Sequence, residues 1–352
     1  MAELNSPFKA GDLEFKNRLV LAPLTRARSN PERIPTDLSV EYYKQRANAG
    51  LILTEATVIG HDAVGYENTP GLWNQEQAHA WKKITDAVHE QGSTIVSQLW
   101  HVGRISHPDL LNGETPVAPS AIQPQGRVSL LRPKRAYVEP RALSVDEIKA
   151  IVAEFKQAAE LAKLAGFDGV ELHAANGYLI DQFLHSGTNT RTDEYGGSVE
   201  NRARLLLEVT DVFIEVWGAG RVGVHISPRG DQHDVSDANP FETFSYVVKQ
   251  LNQRHISFIF SREHQAEDSI GPKLREQFSG AWIANENLTA DSAKQILRDG
   301  QADAVAFGRL FIANPDLLTR LEQNLPLNEL DANTLYPSDA PPEKGYTDYP
   351  KI

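Results

Sequence analysis

Short apolar runs alternate with amphipathic stretches along nearly the whole chain. The apolar runs are almost continuous, which is typical of strands that are buried on both faces of a parallel sheet. The predicted strands are Leu19–Leu24, Leu51–Val58, Thr94–Leu99, Gly169–Ala174, Val222–Ser227, Ile256–Ser261, Ala281–Ala284 and Ala304–Phe307. The stretches between them have helical spacing, and the predicted helices are Thr36–Ala49, Gln75–Gln91, Ser144–Ala165, Val199–Val216, Pro240–Gln253, Ile270–Phe278, Ala290–Arg298 and Pro315–Gln323. About eight strand–helix pairs predict an α/β fold, a (β/α)8 TIM barrel, with residues 1–352 as a single domain.

Three segments fall outside the strand–helix repeat. Residues 7–18 predict an N-terminal β-hairpin over the barrel floor. Residues 101–143 are rich in proline and form a long insertion after strand 3. A loop of this length in a compact domain is usually functional and is often a lid. The tail at 324–352 is expected to pack over the surface.

Composition narrows the classes of partner. The chain has 352 residues, a net charge of −12, 41% hydrophobic and 23% charged residues, and no cysteine. Such acidity argues against nucleic acid or an anionic membrane surface as a general partner. No apolar run is long enough to span a bilayer, and the N-terminus has no signal pattern. We therefore expect a cytoplasmic monomer or homodimer that acts on small molecules, without disulfides or thiolate metal ligands.

Polar residues at the carboxyl ends of the predicted strands are the candidate site, because barrel active sites lie there. They are Thr25, Glu55, Gln98, Trp100, His101, His173, Asn176, Tyr178, His225, Arg262, Asn285 and Arg309. His173, Asn176 and Tyr178 place two hydrogen-bond donors beside a weak acid. That set is suited to holding a carbonyl or nitro oxygen and delivering a proton nearby. The alternative is that His173 and Asn176 merely satisfy each other at a strand end.

Gly308 and Arg309 follow the eighth predicted strand. Barrels frequently bind phosphate in the loops after strands seven and eight. Glycine there lets the backbone approach the phosphate, and arginine supplies a positive charge. A helix stop with a surface ion pair is the alternative.

Other motifs give weaker signals. The glycines of 218–223 match a dinucleotide fingerprint, but a helix precedes them and a strand follows, which reverses the required order. The histidines lack metal-ligand spacing, so we expect no metal site. No Gly-x-Ser-x-Gly elbow is present. A lyase or aldolase would require a lysine at a strand end for a Schiff base, or a carboxylate cluster for a metal, and the sequence has neither.

Several long motifs occur in order along the chain. They are Asn17-Arg-Leu-Val-Leu-Ala-Pro-Leu-Thr-Arg26, Thr54-Glu-Ala-Thr57, Ser97-Gln-Leu-Trp-His-Val-Gly-Arg104, residues 168–208 with Arg191-Thr-Asp-Glu-Tyr-Gly-Gly-Ser-Val-Glu-Asn-Arg202, residues 304–314 and Gly345-Tyr-Thr-Asp-Tyr-Pro350. In these motifs the chain resembles the old yellow enzyme family of flavin-dependent ene-reductases, over nearly its whole length.

The resemblance implies non-covalent FMN, with NADPH or NADH as the reductant. The cofactor-binding residues it implies are Pro23, Leu24, Thr25, Ala56, Gln98, His225, Asn285, Gly308 and Arg309. His173 and Asn176 would bind the oxygen of an α,β-unsaturated carbonyl, a nitroalkene or a nitrate ester. Hydride would pass from flavin N5 to Cβ, and Tyr178 would protonate Cα. Tyr66, Trp100 and Tyr336 would shape the substrate pocket.

The chain departs from the family pattern at two positions. His225 stands where the family usually has an arginine directed at flavin N1 and O2, and a neutral histidine supplies only one hydrogen bond. Arg229 lies four residues on, roughly 13 Å along an extended strand. Asn285-Glu286-Asn287 replaces a glycine-rich phosphate loop, so Glu286 must point away from phosphate. These departures leave one alternative, a flavin-binding paralogue with low or lost turnover.

Overall fold

The computed structural model describes residues 2–337 and 339–352. The strands are β1 (Phe8–Ala10), β2 (Leu13–Phe15), β3 (Leu19–Leu21), β4 (Leu51–Leu53), β5 (Thr57–Val58), β6 (Thr94–Trp100), β7 (Val117–Ala118), β8 (Arg141–Ala142), β9 (Gly169–Ala174), β10 (Val222–Ile226), β11 (Phe258–Arg262), β12 (Ala281–Asn285) and β13 (Ala304–Phe307). The α-helices are α1 (Asp37–Gln45), α2 (Gln75–His89), α3 (Val145–Leu164), α4 (Leu179–Leu184), α5 (Val199–Trp217), α6 (Pro240–Gln253), α7 (Gly271–Arg275), α8 (Ala290–Arg298), α9 (Arg309–Ala313) and α10 (Leu317–Gln323). Short 3₁₀ helices lie at Pro108–Leu110, Ala219–Arg221, Gln232–Asp234 and Ala332–Thr334.

Among the described residues, eight parallel strands close into a barrel. Around the barrel their order is β3, β4, β6, β9, β10, β11, β12 and β13, and β13 pairs with β3 to close it. The helices cover the outside, and their apolar faces pack on the outward-facing strand residues in one large core. The predicted (β/α)8 barrel is confirmed.

The N-terminal hairpin closes the barrel floor, as predicted. Leu13 and Phe15 are buried in a second apolar cluster together with the inward-facing Val20 and Ile283. The Ser257 hydroxyl donates to the Ala10 carbonyl at 2.7 Å, which ties the hairpin to the strand next to it. Because this end is sealed, a ligand can enter only where the strands end in loops.

Local chemistry explains where several elements begin and end. The Ser144 hydroxyl accepts from the Glu147 backbone N–H, and the Glu147 carboxylate accepts in return from the Ser144 backbone N–H, so the predicted capping box starts α3. Gly218 ends α5 with a φ of 77°, a conformation that glycine adopts at little cost. The glycine run 218–223 is therefore a helix stop that leads into β10, as predicted.

Several predicted boundaries are wrong. The strand predicted over Leu19–Leu24 ends at Leu21, just before Pro23, which has no N–H to donate to a neighbour. The strand predicted over Leu51–Val58 is broken into β4 and β5, because the Glu55 N–H turns to the Tyr43 hydroxyl at 2.9 Å.

The helix predicted over Ile270–Phe278 covers only Gly271–Arg275, which is α7. Helix α4 was not predicted. The insertion at 101–143 contains the short pair of β7 and β8, and its Tyr137 is buried.

Candidate active site

The fourth and fifth barrel strands bring two histidines side by side at the open end. His173 on β9 and His225 on β10 are register partners, and their rings stack with centroids 5.1 Å apart. Both side chains are buried. Asn176 and Tyr178 follow in the loop after β9, and Tyr178 lies directly before α4. The structure thus brings together the three residues that the sequence singled out.

Aromatic rings form one wall of the site. Trp100, at the end of β6, lies between the His173 ring, 6.0 Å away, and the Tyr66 ring, 5.7 Å away, and is nearly parallel to both. The Tyr178 ring meets Trp100 edge-on at 4.8 Å. The Tyr66 and Tyr178 hydroxyls are 2.9 Å apart, so the two phenols share a hydrogen bond. Burial raises the pKa of Tyr178 well above its ordinary value, so this phenol keeps its proton.

Asn176 is held by three separate hydrogen bonds. Its backbone has a φ of 59°, a conformation in which asparagine is enriched. Its N–H donates to the Ser227 hydroxyl at 2.8 Å, and its carbonyl accepts from His233 at 2.7 Å. Its side-chain Oδ1 accepts from Arg262 at 2.6 Å. With the oxygen occupied, the Nδ2 group is the donor left for a ligand.

His173 presents a neutral imidazole. Burial lowers its pKa to about 3, and the nearby Arg262 charge acts in the same direction. Nδ1 of this ring is buried and has no hydrogen-bond partner among the described residues. Unpaired buried polar atoms are uncommon, and they often mark a functional site.

A buried polar chain runs below His225. The Gln98 amide nitrogen donates to Glu171 at 2.7 Å and to Nδ1 of His225 at 3.0 Å. With Nδ1 accepting, the proton of a neutral His225 lies on Nε2, which has no partner among the described residues. Burial holds the pKa of His225 well below its ordinary value, and the neighbouring His173 and Arg262 act in the same direction. His225 therefore offers one neutral N–H donor to the site.

The buried carboxyl group of Glu171 should make the stability of the folded protein depend on pH. Burial raises its pKa from 4.5 to about 8. Between those values the folded chain holds a proton that the unfolded chain releases, so stability falls as pH rises, by at most about 1.4 kcal/mol per pH unit. We expect Glu171→Gln to flatten this slope and to match the unsubstituted protein near pH 5 but exceed its stability near pH 8. Urea midpoints of the FMN-loaded proteins across this range measure the effect. Parallel curves for both proteins would contradict it.

A cavity of about 670 Å³ runs from these residues across the ends of β10 to β13. Its lining residues are Ala22, Pro23, Leu24, Asn176, His225, Phe260, Arg262, Asn285, Glu286, Asn287, Leu288, Ala306, Phe307, Gly308, Arg309, Leu310, Ala313, Asn328 and Leu330. A Cβ on Gly308 would lie 2.7 Å from the Leu24 side chain, so a larger residue there would make Leu24 move. Asn285 donates to the Ala306 carbonyl at 2.9 Å, and Glu286 turns to Arg262 at 2.9 Å. The Glu286 carboxylate is thereby tied to a cation.

Three further predicted residues, Thr25, Ala56 and Tyr336, are not among those that line this cavity. Thr25 is partly buried and follows Pro23 and Leu24 in the segment after β3, whereas Ala56 is buried between β4 and β5. Tyr336 is 39% exposed on the C-terminal segment. Arg229 pairs with Glu263 at 2.7 Å and also with Asp268, so it does not take the place of an arginine at position 225.

Sequence reasoning missed several contributors. His233, whose ring lies 4.9 Å from that of Tyr178, comes from the loop after β10 and carried no local signal. Glu171 was hidden inside an apolar strand, although a carboxylate in such a run is itself a signal. Tyr137, from the insertion, lies near enough to influence the pKa of Tyr178.

The open end of the barrel therefore combines neutral donors, phenols and a long cavity that ends at Gly308 and Arg309. This arrangement is compatible with a barrel oxidoreductase of the flavin-binding class. The family model described as NADH:flavin oxidoreductase / NADH oxidase matches residues 3–328. The chain belongs to this family, and it is an NAD(P)H-dependent flavin oxidoreductase of the old yellow enzyme type with FMN as its cofactor.

Relatives resemble the chain over its full length. It is 44% identical to 12-oxophytodienoate reductase 1 of Oryza sativa subsp. japonica, covering 99% of this chain and 92% of that protein. It is 42% identical to flavin oxidoreductase hxnT of Emericella nidulans, covering 99% and 97%.

Two solved structures share the whole fold. Morphinone reductase in complex with tetrahydroNAD matches with a TM-score of 0.95 and 44% identity, covering 100% of this chain and 98% of that one. The old yellow enzyme homologue from Zymomonas mobilis matches with a TM-score of 0.96 and 42% identity, covering 99% and 100%.

The residues present fit FMN. The cavity volume lies within the usual range of cofactor sites, roughly 300–1,000 Å³. The unpaired Nε2 of His225 supplies a buried donor for a polar ring edge, and Gly308 with Arg309 leaves backbone and charge available for a phosphate. No helix within the described residues is long and apolar enough to cross a membrane.

Proposed function

We propose that this enzyme is an ene-reductase that uses NADPH or NADH to reduce the C=C bond of α,β-unsaturated carbonyl compounds. Nitroalkenes and nitrate esters are further substrate classes with a similar oxygen. The observation that carries the proposal is the placement of His173 and Asn176 as neutral donors beside the protonated Tyr178. Relatives named as reductases of 12-oxophytodienoate and of morphinone support the same chemistry.

The donors of the chain act on the substrate oxygen. Nδ2 of Asn176 and a ring N–H of His173 would donate to it, which draws electron density from the conjugated double bond. Both bonds strengthen as negative charge grows on that oxygen. The neutral state of His173 suits this role, since a neutral ring still donates one hydrogen bond.

Tyr178 would supply the proton to Cα. When bound and reduced by NAD(P)H, FMN would supply the hydride for Cβ. The raised pKa of Tyr178 makes its phenol a proton donor matched to a strongly basic carbon. The Tyr66 hydroxyl, 2.9 Å away, can return a proton to Tyr178 after each turnover. Trp100 keeps water from the Tyr178 ring by packing edge-on against it.

The cofactor is assigned to the ring of strand ends. Pro23, Leu24 and Ala56 would pack against the flavin ring, and Thr25, Gln98 and His225 would face its polar edges. Asn285, Gly308 and Arg309 would hold the phosphate end. Tyr66, Trp100 and Tyr336 would set the shape of the substrate pocket.

Isotope labelling tests the reaction. A cyclic enone is reduced with NADPH deuterated at the transferred position, and separately with unlabelled NADPH in D₂O. We expect deuterium at Cβ in the first product and at Cα in the second. Recovery of unreduced enone, with reductant consumed only by oxygen, would contradict ene-reduction.

The residue at position 225 should influence the reduction potential of the bound FMN. Arginine at this position would place a cation where the negative charge of FMN grows on reduction. We expect His225→Arg to raise the midpoint potential by about 30 mV, which corresponds to ~1.4 kcal/mol for a two-electron couple. Ionisation of Glu171 next to the new cation would limit the shift. Spectroelectrochemical titration measures it, with His225→Gln as the neutral control. An unchanged potential in the arginine variant would count against this role.

A further inference from the structure

Arg262 is a cation in the site that the reaction described above does not use. It is the last residue of β11 and lines the cavity beside His225. One end of its guanidinium donates to Asn176 Oδ1 at 2.6 Å, and the other end donates to Glu286 Oε1 at 2.9 Å. Its side chain is 28% exposed and that of Glu286 is 25% exposed, so both are largely shielded. A forked cation is therefore bonded directly to a donor of the substrate oxygen.

The bond decides which end of the Asn176 carboxamide faces the ligand. A guanidinium has donors only, so it can pair with the amide oxygen but not with the amide nitrogen. The terminal torsion of asparagine is broad and roughly two-fold, so without such a partner the group can turn over. The turned group would present its oxygen to the substrate oxygen, and two acceptors repel. Arg262 thus selects the amide orientation that binds a substrate oxygen.

We propose that Arg262 is a positioning residue for Asn176 and that Glu286 holds Arg262 in place. The inference rests on the proposed function, because it assigns Asn176 to the substrate oxygen. Arg262 touches neither the reacting carbon atoms nor the proton of Tyr178 in this account, and it acts through the carboxamide.

The surrounding ion pairs fit this assignment. The neighbouring carboxylate, Glu263, is occupied by Arg229 and by the backbone N–H groups of Ile270 and Gly271. Glu286 is thereby the carboxylate left to pair with Arg262, and its backbone has a φ of 97°, which is unusual for a residue with a side chain. Residues 285–287, which differ from a glycine-rich loop, thus supply the carboxylate that pairs with Arg262.

The charge of Arg262 also reaches the other oxygen donor. After burial, it is the largest cause that lowers the pKa of His173. One cation therefore orients Asn176 and favours the neutral form of His173.

A double-mutant cycle on oxidised, FMN-loaded protein tests the proposal without turnover. The probe is 4-hydroxybenzaldehyde, whose phenolate oxygen imitates a substrate oxygen that is gaining charge. Its affinity is measured by calorimetry for the unsubstituted protein, Arg262→Met, Asn176→Ala and the double variant. We expect Arg262→Met to weaken binding about ten- to a hundredfold when Asn176 is present. In the Asn176→Ala background we expect less than about a threefold further loss, because coupled residues are not additive.

The possible outcomes separate the two proposals. Equal losses from Arg262→Met in both backgrounds would overturn the positioning role, since Arg262 would then act independently of Asn176. Unchanged affinity in Asn176→Ala would overturn the proposed oxygen site, and the positioning role with it. Arg262→Lys, which keeps the charge but not the fork, should recover only part of the loss. If the methionine variant fails to fold, Arg262→Lys and Glu286→Gln complete the same cycle, and additive losses there would equally overturn the positioning role.

Discussion

Tyr178→Phe is expected to slow enone reduction by about 10²–10⁴-fold, the usual contribution of a positioned general acid. The phenol is buried, keeps its proton at any ordinary pH and lies 5.1 Å, ring to ring, from His173, which is assigned to the substrate oxygen. Removing one oxygen leaves the edge-on packing against Trp100 in place. Only the proton supply is lost, so reduction of the cofactor by NADPH should keep its rate.

Stopped-flow absorbance separates the two half-reactions under anaerobic conditions. The matched control is Tyr66→Phe, which removes the hydroxyl 2.9 Å from that of Tyr178 but leaves the Tyr178 phenol in place. We expect the control to lose much less than Tyr178→Phe. Equal losses in both variants would mean that the pair acts as one relay. An unaffected oxidative half-reaction in Tyr178→Phe would remove Tyr178 as the acid.

His173→Ala and Asn176→Ala are each expected to lower kcat/KM for an enone by about 10²–10³-fold, as removal of one oxyanion donor does elsewhere. The loss should appear in the oxidative half-reaction, because negative charge grows on the substrate oxygen in that step. The double variant should lose less than the product of the single losses, since the two donors serve one oxygen.

The measurement is kcat/KM for cyclohexenone together with the FMN content of each variant. The controls are His79→Ala and Asn333→Ala, which remove the same side-chain types at exposed positions outside the site. Full FMN content with unchanged kcat/KM in either site variant would contradict the assignment. Loss of FMN would instead place that residue against the cofactor.

The barrel could be predicted from the sequence because each strand is an apolar run and the apolar residues of each long helix recur at helical spacing. Gly169–Ala174 and Ala290–Arg298 match the predicted bounds, since both lie between clear stop signals. Predictions failed where a local contact overrode the pattern. The Glu55 N–H donates to the Tyr43 hydroxyl instead of to a neighbouring strand. Helix α4 is too short to show helical spacing of apolar residues.

The candidate site was predictable where its residues lie on strands or in the loop directly after β9. His173, Gln98 and His225 lie at strand ends, so the fold itself brings them together. The contacts made by His233 and Arg262 depend on how loops return over the barrel, and no periodicity encodes that path. The sequence showed Arg262 as a strand-end candidate and Glu286 as part of the altered phosphate loop, but not that the two residues pair.

The most direct test of the central claim is an anaerobic visible spectrum of the purified protein, titrated first with NADPH and then with cyclohexenone. We expect flavin absorption that bleaches with NADPH and returns with one equivalent of enone, even with His225 in place of the usual arginine. A flavin that bleaches but does not recover with cyclohexenone, a nitroalkene or a nitrate ester would contradict ene-reduction and favour a paralogue that has lost turnover.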